Sequence, residues 1–296
     1  GGRHVVSNHV AGFCPHARAI RSRGTYLMLM KALDTARQSA ATATRRSPHM
    51  AIGGVAIADI SGREAIERIE TALSARRLTR VGFVNAHCVN VARRNATYRA
   101  AIADFLLLPD GVGVDIGAKL LYGRAFAENL NGTDFIPRLV MTLSRPTRIA
   151  LVGAAPGIAE QAAENLARVV PQHEIVAVSD GYFGTAGRPA VLERLEALRP
   201  DIVLVAMGVP AQEIFIADHL DERHGTVFVA VGALFDFIAG NVPRAPRLAR
   251  KLRAEWIWRL VLEPKRLFRR YVVGNPVFLR DLVLDRLRGA GRRRPN

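Results

Sequence analysis

The chain has 296 residues, 49% of them hydrophobic, and a formal net charge of +16. That length and composition allow one large α/β domain with appendages, or two modest domains, and they exclude global disorder. No run approaches the roughly 18–20 uncharged apolar residues of a membrane span, so no spanning helix is expected.

The charge is unevenly placed. Residues 244–296 hold 16 Arg/Lys against 4 Asp/Glu, and residues 1–50 hold 8 against 1. The middle, 51–243, is near neutral with 18 against 21. An anionic partner is therefore expected for the two ends rather than for the core. The two cysteines, Cys14 and Cys88, match no metal-ligand spacing and read as free thiols in a cytoplasmic protein.

Residues 1–50 read as a weakly ordered basic leader, with a helical pattern only over 25–39. The apolar run Tyr26–Met30 is too short for a signal peptide. Met50 stands directly before the first strand-like run and is a candidate true start.

From 51 the pattern alternates. Strands are expected at 52–57, 81–84, 105–108, 148–152, 174–178, 201–206 and 226–230. Helices are expected at 62–77, 86–103, 112–121, 133–143, 157–170, 188–198 and 210–223. Several strands are continuous Val/Ile/Leu runs, as in parallel sheets buried on both faces. The alternation predicts an open, mostly parallel α/β sheet over 51–243, whose ligands bind beyond the carboxyl ends of the strands.

Five loops at those ends carry polar or glycine-rich clusters. After strand 81–84 comes Asn85-Ala86-His87, where an amide and an imidazole suit a sugar or base, unless Asn85 only caps the next helix. After 105–108 comes Pro109-Asp110-Gly111-Val112-Gly113. Its carboxylate is placed for general-base work, or else caps helix 112–121. In Asn131-Gly132-Thr133-Asp134, Thr133 or Asp134 caps the following helix, and the amides there suit a phosphate. Gly153-Ala154-Ala155-Pro156-Gly157 is a phosphate-cradle candidate, with neither a Walker lysine nor a clean dinucleotide fingerprint. Tyr182, in Asp180-Gly181-Tyr182-Phe183-Gly184, either stacks on a base or ribose or simply packs. Gln212 and Glu213 fall in the first turn of helix 210–223, as nucleotide or sugar ligands or as ordinary helix-start residues.

Beyond 243, short helices are expected at 246–260, 264–272 and 276–288, punctuated by Pro264, Gly274 and Pro276, before a basic tail from Gly289. Trp256, Trp258, Leu260, Phe268, Tyr271 and Phe278 interleave with arginines. That pattern suits the interface of an anionic membrane, where each basic residue contributes about 1 kcal/mol. A bundle packed on the core with solvated arginines is the other reading.

Taken in order, FVNAH (83–87), PDGVG (109–113), NGTD (131–134), GAAPG (153–157), DGYFG (180–184), GVPAQE (208–213), GALFDFIAGNVPRAP (232–246), EWIWRL (255–260) and EPKRLFRRY (263–271) resemble the WecG/TagA/CpsF family of glycosyltransferases. The resemblance covers about 51–288. It implies an α/β, Rossmann-like core with a helical C-terminal appendage. It also implies inverting transfer from a UDP-sugar to a polyprenyl-diphosphate-linked sugar in surface polysaccharide biosynthesis, without metal or other cofactor. The enzyme would lie on the inner face of the cell membrane. By the same resemblance Asp110 matches the general base, Asn85 a sugar-site residue, and Gln212 and Glu213 the nucleotide-side motif. His87, Gly111, Asn131, Thr133, Asp134, Gly153, Gly157 and Tyr182 fall with the substrates, and Arg244, Arg247, Arg250 and Arg253 face a diphosphate. Members that use N-acetylmannosamine often carry Thr where this chain has Phe83, which leaves the donor as a hexose or an N-acetylhexosamine.

Two other functions compete. A nucleotide-dependent oxidoreductase needs a glycine fingerprint in the first βα turn, which Gly53-Gly54 does not supply. A nucleic-acid-binding protein would explain the basic ends but not the strand-end loops, so no nucleic acid is expected as partner. A homo-oligomer is left open.

Overall fold

The computed structural model describes residues 49–242, 255–262 and 264–288. The leader up to 48, Arg244, Arg247, Arg250, Arg253 and the basic tail lie outside the described residues.

The first expected strand is two. β1 (His49–Ile52) and β2 (Val55–Ala58) pair antiparallel, with Ile52 opposite Val55. The two-residue turn between them is Gly53-Gly54, both at positive φ (58° and 85°). Such a turn matches the twist of the flanking strands, and glycine adopts it without Cβ strain. Met50 and Ile57 face each other across the hairpin, both buried.

The core then alternates: α1 (Gly62–Ser74), β3 (Thr79–Val84), α2 (Ala86–Arg94), α3 (Ala96–Ala101), β4 (Phe105–Pro109), α4 (Val112–Tyr122), α5 (Gly132–Thr142), β5 (Arg148–Gly153) and α6 (Ile158–Val169). It continues with β6 (Glu174–Ser179), α7 (Gly184–Leu198), β7 (Ile202–Ala206), α8 (Ala211–His219), β8 (Val227–Ala230) and α9 (Leu234–Ala239). Strands β3 to β8 form one sheet in the order β4-β3-β8-β7-β5-β6, with every pairing parallel. This is the open, parallel α/β sheet expected from the alternation, and the Rossmann-like core that the family resemblance implies.

The sheet is covered on both sides because its central strands are apolar on both faces. In β7, Ile202 and Leu204 join a core with Ile69 of α1, Leu139 of α5, Leu166 of α6 and Phe235 of α9. Val203 and Val205 point the other way, into a core with Val89 of α2, Tyr98 of α3 and Phe215 of α8. Alternation along one strand thus feeds two cores.

Past the core lie α10 (Glu255–Leu262), α11 (Pro264–Phe268), a π-helical turn (Arg269–Val273) and α12 (Gly274–Leu287). From 264 to 287 the chain stays helical, so Gly274 and Pro276 do not interrupt it as expected. Proline lacks the N–H that would bond the carbonyl four residues back and crowds it. For Pro276 that carbonyl is Val272's, which lies inside the π turn, where the backbone bonds five residues apart rather than four. Phe278 and Leu282 of α12 are fully buried in the second core. Asn90 Nδ2 donates to Gly274 O at 2.8 Å, and Arg93 pairs with Asp285. These contacts seat α12 against α2 and α4.

Candidate functional site

A cavity of about 1580 Å³ opens beyond the carboxyl ends of the parallel strands. It is lined by the loops after β3, β4, β5, β6, β7 and β8, by the 127–134 segment, and by the 267–279 stretch of the C-terminal helices. Backbone hydrogen bonds knit one half of this rim: Ala154 N donates to Ala206 O (2.7 Å) and Gly181 N to Ala154 O (2.8 Å).

In the other half, Asn85 and Asp110 meet. Asn85 is the N-cap of α2, its Oδ1 accepting from the N–H groups of His87 (3.1 Å) and Cys88 (3.3 Å). Its Nδ2 donates to Asp110 Oδ2 at 3.1 Å. Helix capping and a place on the cavity wall, opposed readings in the sequence, coexist in one amide. Asp110 does not cap: the N-cap of α4 is Gly111, with no side-chain cap bond. The carboxylate therefore stands on the cavity wall at the mouth of β4.

Gln212 is buried in the first turn of α8 and touches the cavity. Its Oε1 accepts from Gly208 N (3.2 Å) and Gly232 N (3.0 Å), pinning the loops after β7 and β8 together. Its Nε2 donates to Glu213 Oε1 at 2.8 Å. Glu213 lies behind it, 2% exposed, and its Oε2 makes no hydrogen bond among the described residues. Burial pushes the Glu213 carboxyl up to about 7, against the opposing hydrogen bond from Gln212.

His87 lines the cavity, and its pKa is lowered to about 4, first by burial and then by the Arg270 cation. Its ring is thus neutral at neutral pH and acts as a hydrogen-bonding group rather than a charge. Cys88 is pushed up to about 11, mainly by burial, so it is an inert thiol.

The remaining expected residues divide. Gly111, Asn131, Thr133, Asp134 and Tyr182 line the cavity, with Tyr182 77% exposed on the rim. The cap of α5 is Asn131, whose Oδ1 accepts from Asp134 N at 3.0 Å; neither Thr133 nor Asp134 caps it. In the glycine-rich loop after β5, Ala154 and Ala155 line the cavity, whereas Gly153 packs at the sheet end. A Cβ at Gly153 would sit 2.4 Å from Ala206 O. Gly157 and Glu213 are not on the wall either: Gly157 caps α6 without a side chain.

Sequence reasoning missed three lining residues of consequence. Arg270 lies in the quoted EPKRLFRRY string, but nothing there set it apart from its neighbouring cations; the π turn brings it to the cavity. Among the described residues its Nε has no hydrogen-bond partner. Asp236 lies on α9, a helix too short to show periodicity. Asn129 sits just before the NGTD loop and bonds both the backbone N–H and the carbonyl of Gly111.

Two comparisons bear on what this cavity is for. The sequence model of the glycosyl transferase WecG/TagA/CpsF family matches residues 50–292. The chain is also 35% identical over 178 residues to an N-acetylglucosaminyldiphosphoundecaprenol N-acetyl-beta-D-mannosaminyltransferase of Bacillus spizizenii. That match spans 59% of this chain and 68% of the relative.

Proposed function

Because the chain belongs to the WecG/TagA/CpsF family of glycosyltransferases, we propose that it moves a hexose or N-acetylhexosamine from a UDP-sugar to a polyprenyl-diphosphate-linked sugar, with inversion, in surface polysaccharide biosynthesis. The observation that carries this reading is the Asp110 carboxylate on the cavity wall, held by Asn85 at 3.1 Å.

In the proposed step the acceptor hydroxyl oxygen attacks the anomeric carbon of the donor. The bond from that carbon to the diphosphate oxygen breaks, its electron pair leaving with UDP. The hydroxyl proton passes to Asp110 as general base. A single displacement inverts the anomeric centre. UDP is assigned to the half of the cavity framed by Ala154, Ala155, Tyr182 and the Gln212-pinned loops. There a base can stack on Tyr182, and the loop ahead of α6 can meet phosphate oxygens at Ala155. Arg270 supplies positive charge for the departing diphosphate, with neutral His87 as a hydrogen-bonding neighbour. A cavity of about 1580 Å³ has room for both substrates.

The acceptor's lipid requires a membrane surface. Among the described residues no helix is long and apolar enough to cross one. Val261, Phe268, Val273 and Leu287 are exposed on the C-terminal helices, at 67%, 55%, 48% and 78%. With the cations of 244–296 they fit peripheral association with an anionic leaflet. In this reading 51–243 is the catalytic core and 244–296 the membrane-facing appendage. Arg244, Arg247, Arg250 and Arg253 join Arg270 as diphosphate ligands.

The test is a panel of UDP-sugars offered with a defined polyprenyl-diphosphate-sugar acceptor. The expected result is acceptor-dependent release of UDP and a product of inverted anomeric configuration. Retention at that carbon, or no transfer from any UDP-sugar, would overturn the reading.

A further inference from the structure

We infer that Asn129 is a positioning residue that aims Asp110 by clamping the peptide next to it. The inference rests on reading Asp110 as the base.

The usual device for fixing a residue at a helix start is a capping side chain, and α4 has none. Its cap is Gly111, at φ 82° and ψ 166°, a backbone region that essentially only glycine occupies. Glycine reaches this region without strain but has many others open to it, so its surroundings must select this one. Asn129 does so from both sides of the residue. Its Oδ1 accepts from Gly111 N and its Nδ2 donates to Gly111 O, each at 2.9 Å. The same Nδ2 also reaches the buried carboxylate of Asp115 in the first turn of α4, at 3.2 Å. One residue on, Leu130 N donates to Pro109 O at 2.8 Å. On the far side, Asp110 N donates to Val84 O at 2.9 Å.

The Asp110 backbone is thus held between β3 and the 129–130 strap, and its carboxylate by Asn85. The side-chain amide matches Gly111 because it carries one acceptor and one donor, which meet the N–H and the C=O of that one residue. Aspartate keeps the acceptor but cannot donate to Gly111 O, and it would set a second carboxylate beside Asp115. Asn129 itself lines the cavity, so the strap and the base share one wall.

The experiment compares Asn129→Ala, Asn129→Asp and Asp110→Asn in the full-length protein. Initial rates, UDP-sugar binding by calorimetry and thermal melting are measured for each. A misplacement of the base by about 1 Å costs on the order of 100-fold in rate. The expected result is therefore a kcat roughly 10- to 100-fold lower in both Asn129 variants, with donor KM and Kd within about threefold of wild type. Unchanged kcat in Asn129→Ala overturns the inference. So does a fall in donor binding matching the fall in rate, because that marks general loosening of the cavity. Full turnover by Asp110→Asn instead sinks the base reading, and the aim of the clamp with it.

Discussion

Asn85 joins the N-terminus of α2 to the carboxylate of Asp110, capping the helix through Oδ1 and reaching Asp110 Oδ2 through Nδ2. The two duties can be separated. Serine caps as well as asparagine, but its single hydroxyl is too short to serve Asp110 at the same time. Asn85→Ser should therefore stay within about 1 kcal/mol of wild type in urea unfolding. A hydrogen bond to a charged group contributes about 1.5–3 kcal/mol, so turnover should fall about 10- to 100-fold. Wild-type turnover by this variant would detach Asn85 from the chemistry.

Asp110→Asn is nearly isosteric but cannot take a proton. Loss of a general base costs about 10²- to 10⁴-fold in rate. Transfer should fall in that range, while UDP-sugar affinity, read by calorimetry, stays close to wild type because the half of the cavity proposed for UDP is untouched. A variant that turns over normally would remove Asp110 from the base role.

The parallel strands were legible because burial on both faces demands continuous apolar runs, as in Ile202–Ala206. Local competition hid other features. Gly53-Gly54 lies inside an apolar stretch, so a hairpin read as one strand. Asn95 splits the expected helix 86–103 because its side chain caps α3, accepting from Tyr98 N at 2.9 Å. Of the site, Asn85, Asp110 and Gln212 were legible because their strand-end loops name the sheet's ligand edge. Asn129 and Arg270 carry no local signature; their roles arise from contacts between segments distant in sequence, which no single window contains.

Arg270 should announce itself through His87. The imidazole is held near 4 by burial first and by the Arg270 charge second. Arg270→Ala removes the second cause and leaves the first. The His87 pKa should rise yet stay below 6.5, as followed by NMR titration of the ring. UDP affinity should fall about 10- to 100-fold, the range for losing a charge-assisted hydrogen bond. An unmoved His87 pKa would place the Arg270 cation elsewhere in solution.

In the proposed function, the place of Phe83 on the cavity wall makes donor choice testable. Its ring lines the cavity, packs edge-on against Phe135 with centroids 5.9 Å apart, and would lie 3.1 Å from a Cβ at Gly132. It closes that wall with an apolar face where a hydroxyl would offer a hydrogen bond. Phe83→Thr opens space for an acetamido group and supplies the hydroxyl. The kcat/KM ratio for N-acetylhexosamine over unsubstituted hexose donors should rise about tenfold or more, in the range that pocket contacts of this size discriminate. An unchanged ratio across the UDP-sugar panel would take Phe83 out of donor selection.

Glu213 makes folding stability depend on pH in a direction opposite to most carboxylates. Its folded-state pKa, about 7, lies above the ordinary carboxyl value of 4.5 because burial disfavours the charged form. Between those values the folded protein binds more protons than the unfolded chain, so stability is complete below about 4.5 and declines as pH rises towards 7. At about 1.4 kcal/mol per unit, the decline is on the order of 3 kcal/mol. Glu213→Gln keeps the acceptor for Gln212 Nε2 and cannot ionise. It should therefore unfold at a higher urea concentration than wild type at pH 8 and at nearly the same concentration at pH 4.5. Parallel curves for the two proteins from pH 4.5 to 8 would show that Glu213 carries its charge in the folded state at no such cost. The Gln212 clamp on Gly208 and Gly232 would then rest on an ionised partner rather than a neutral one.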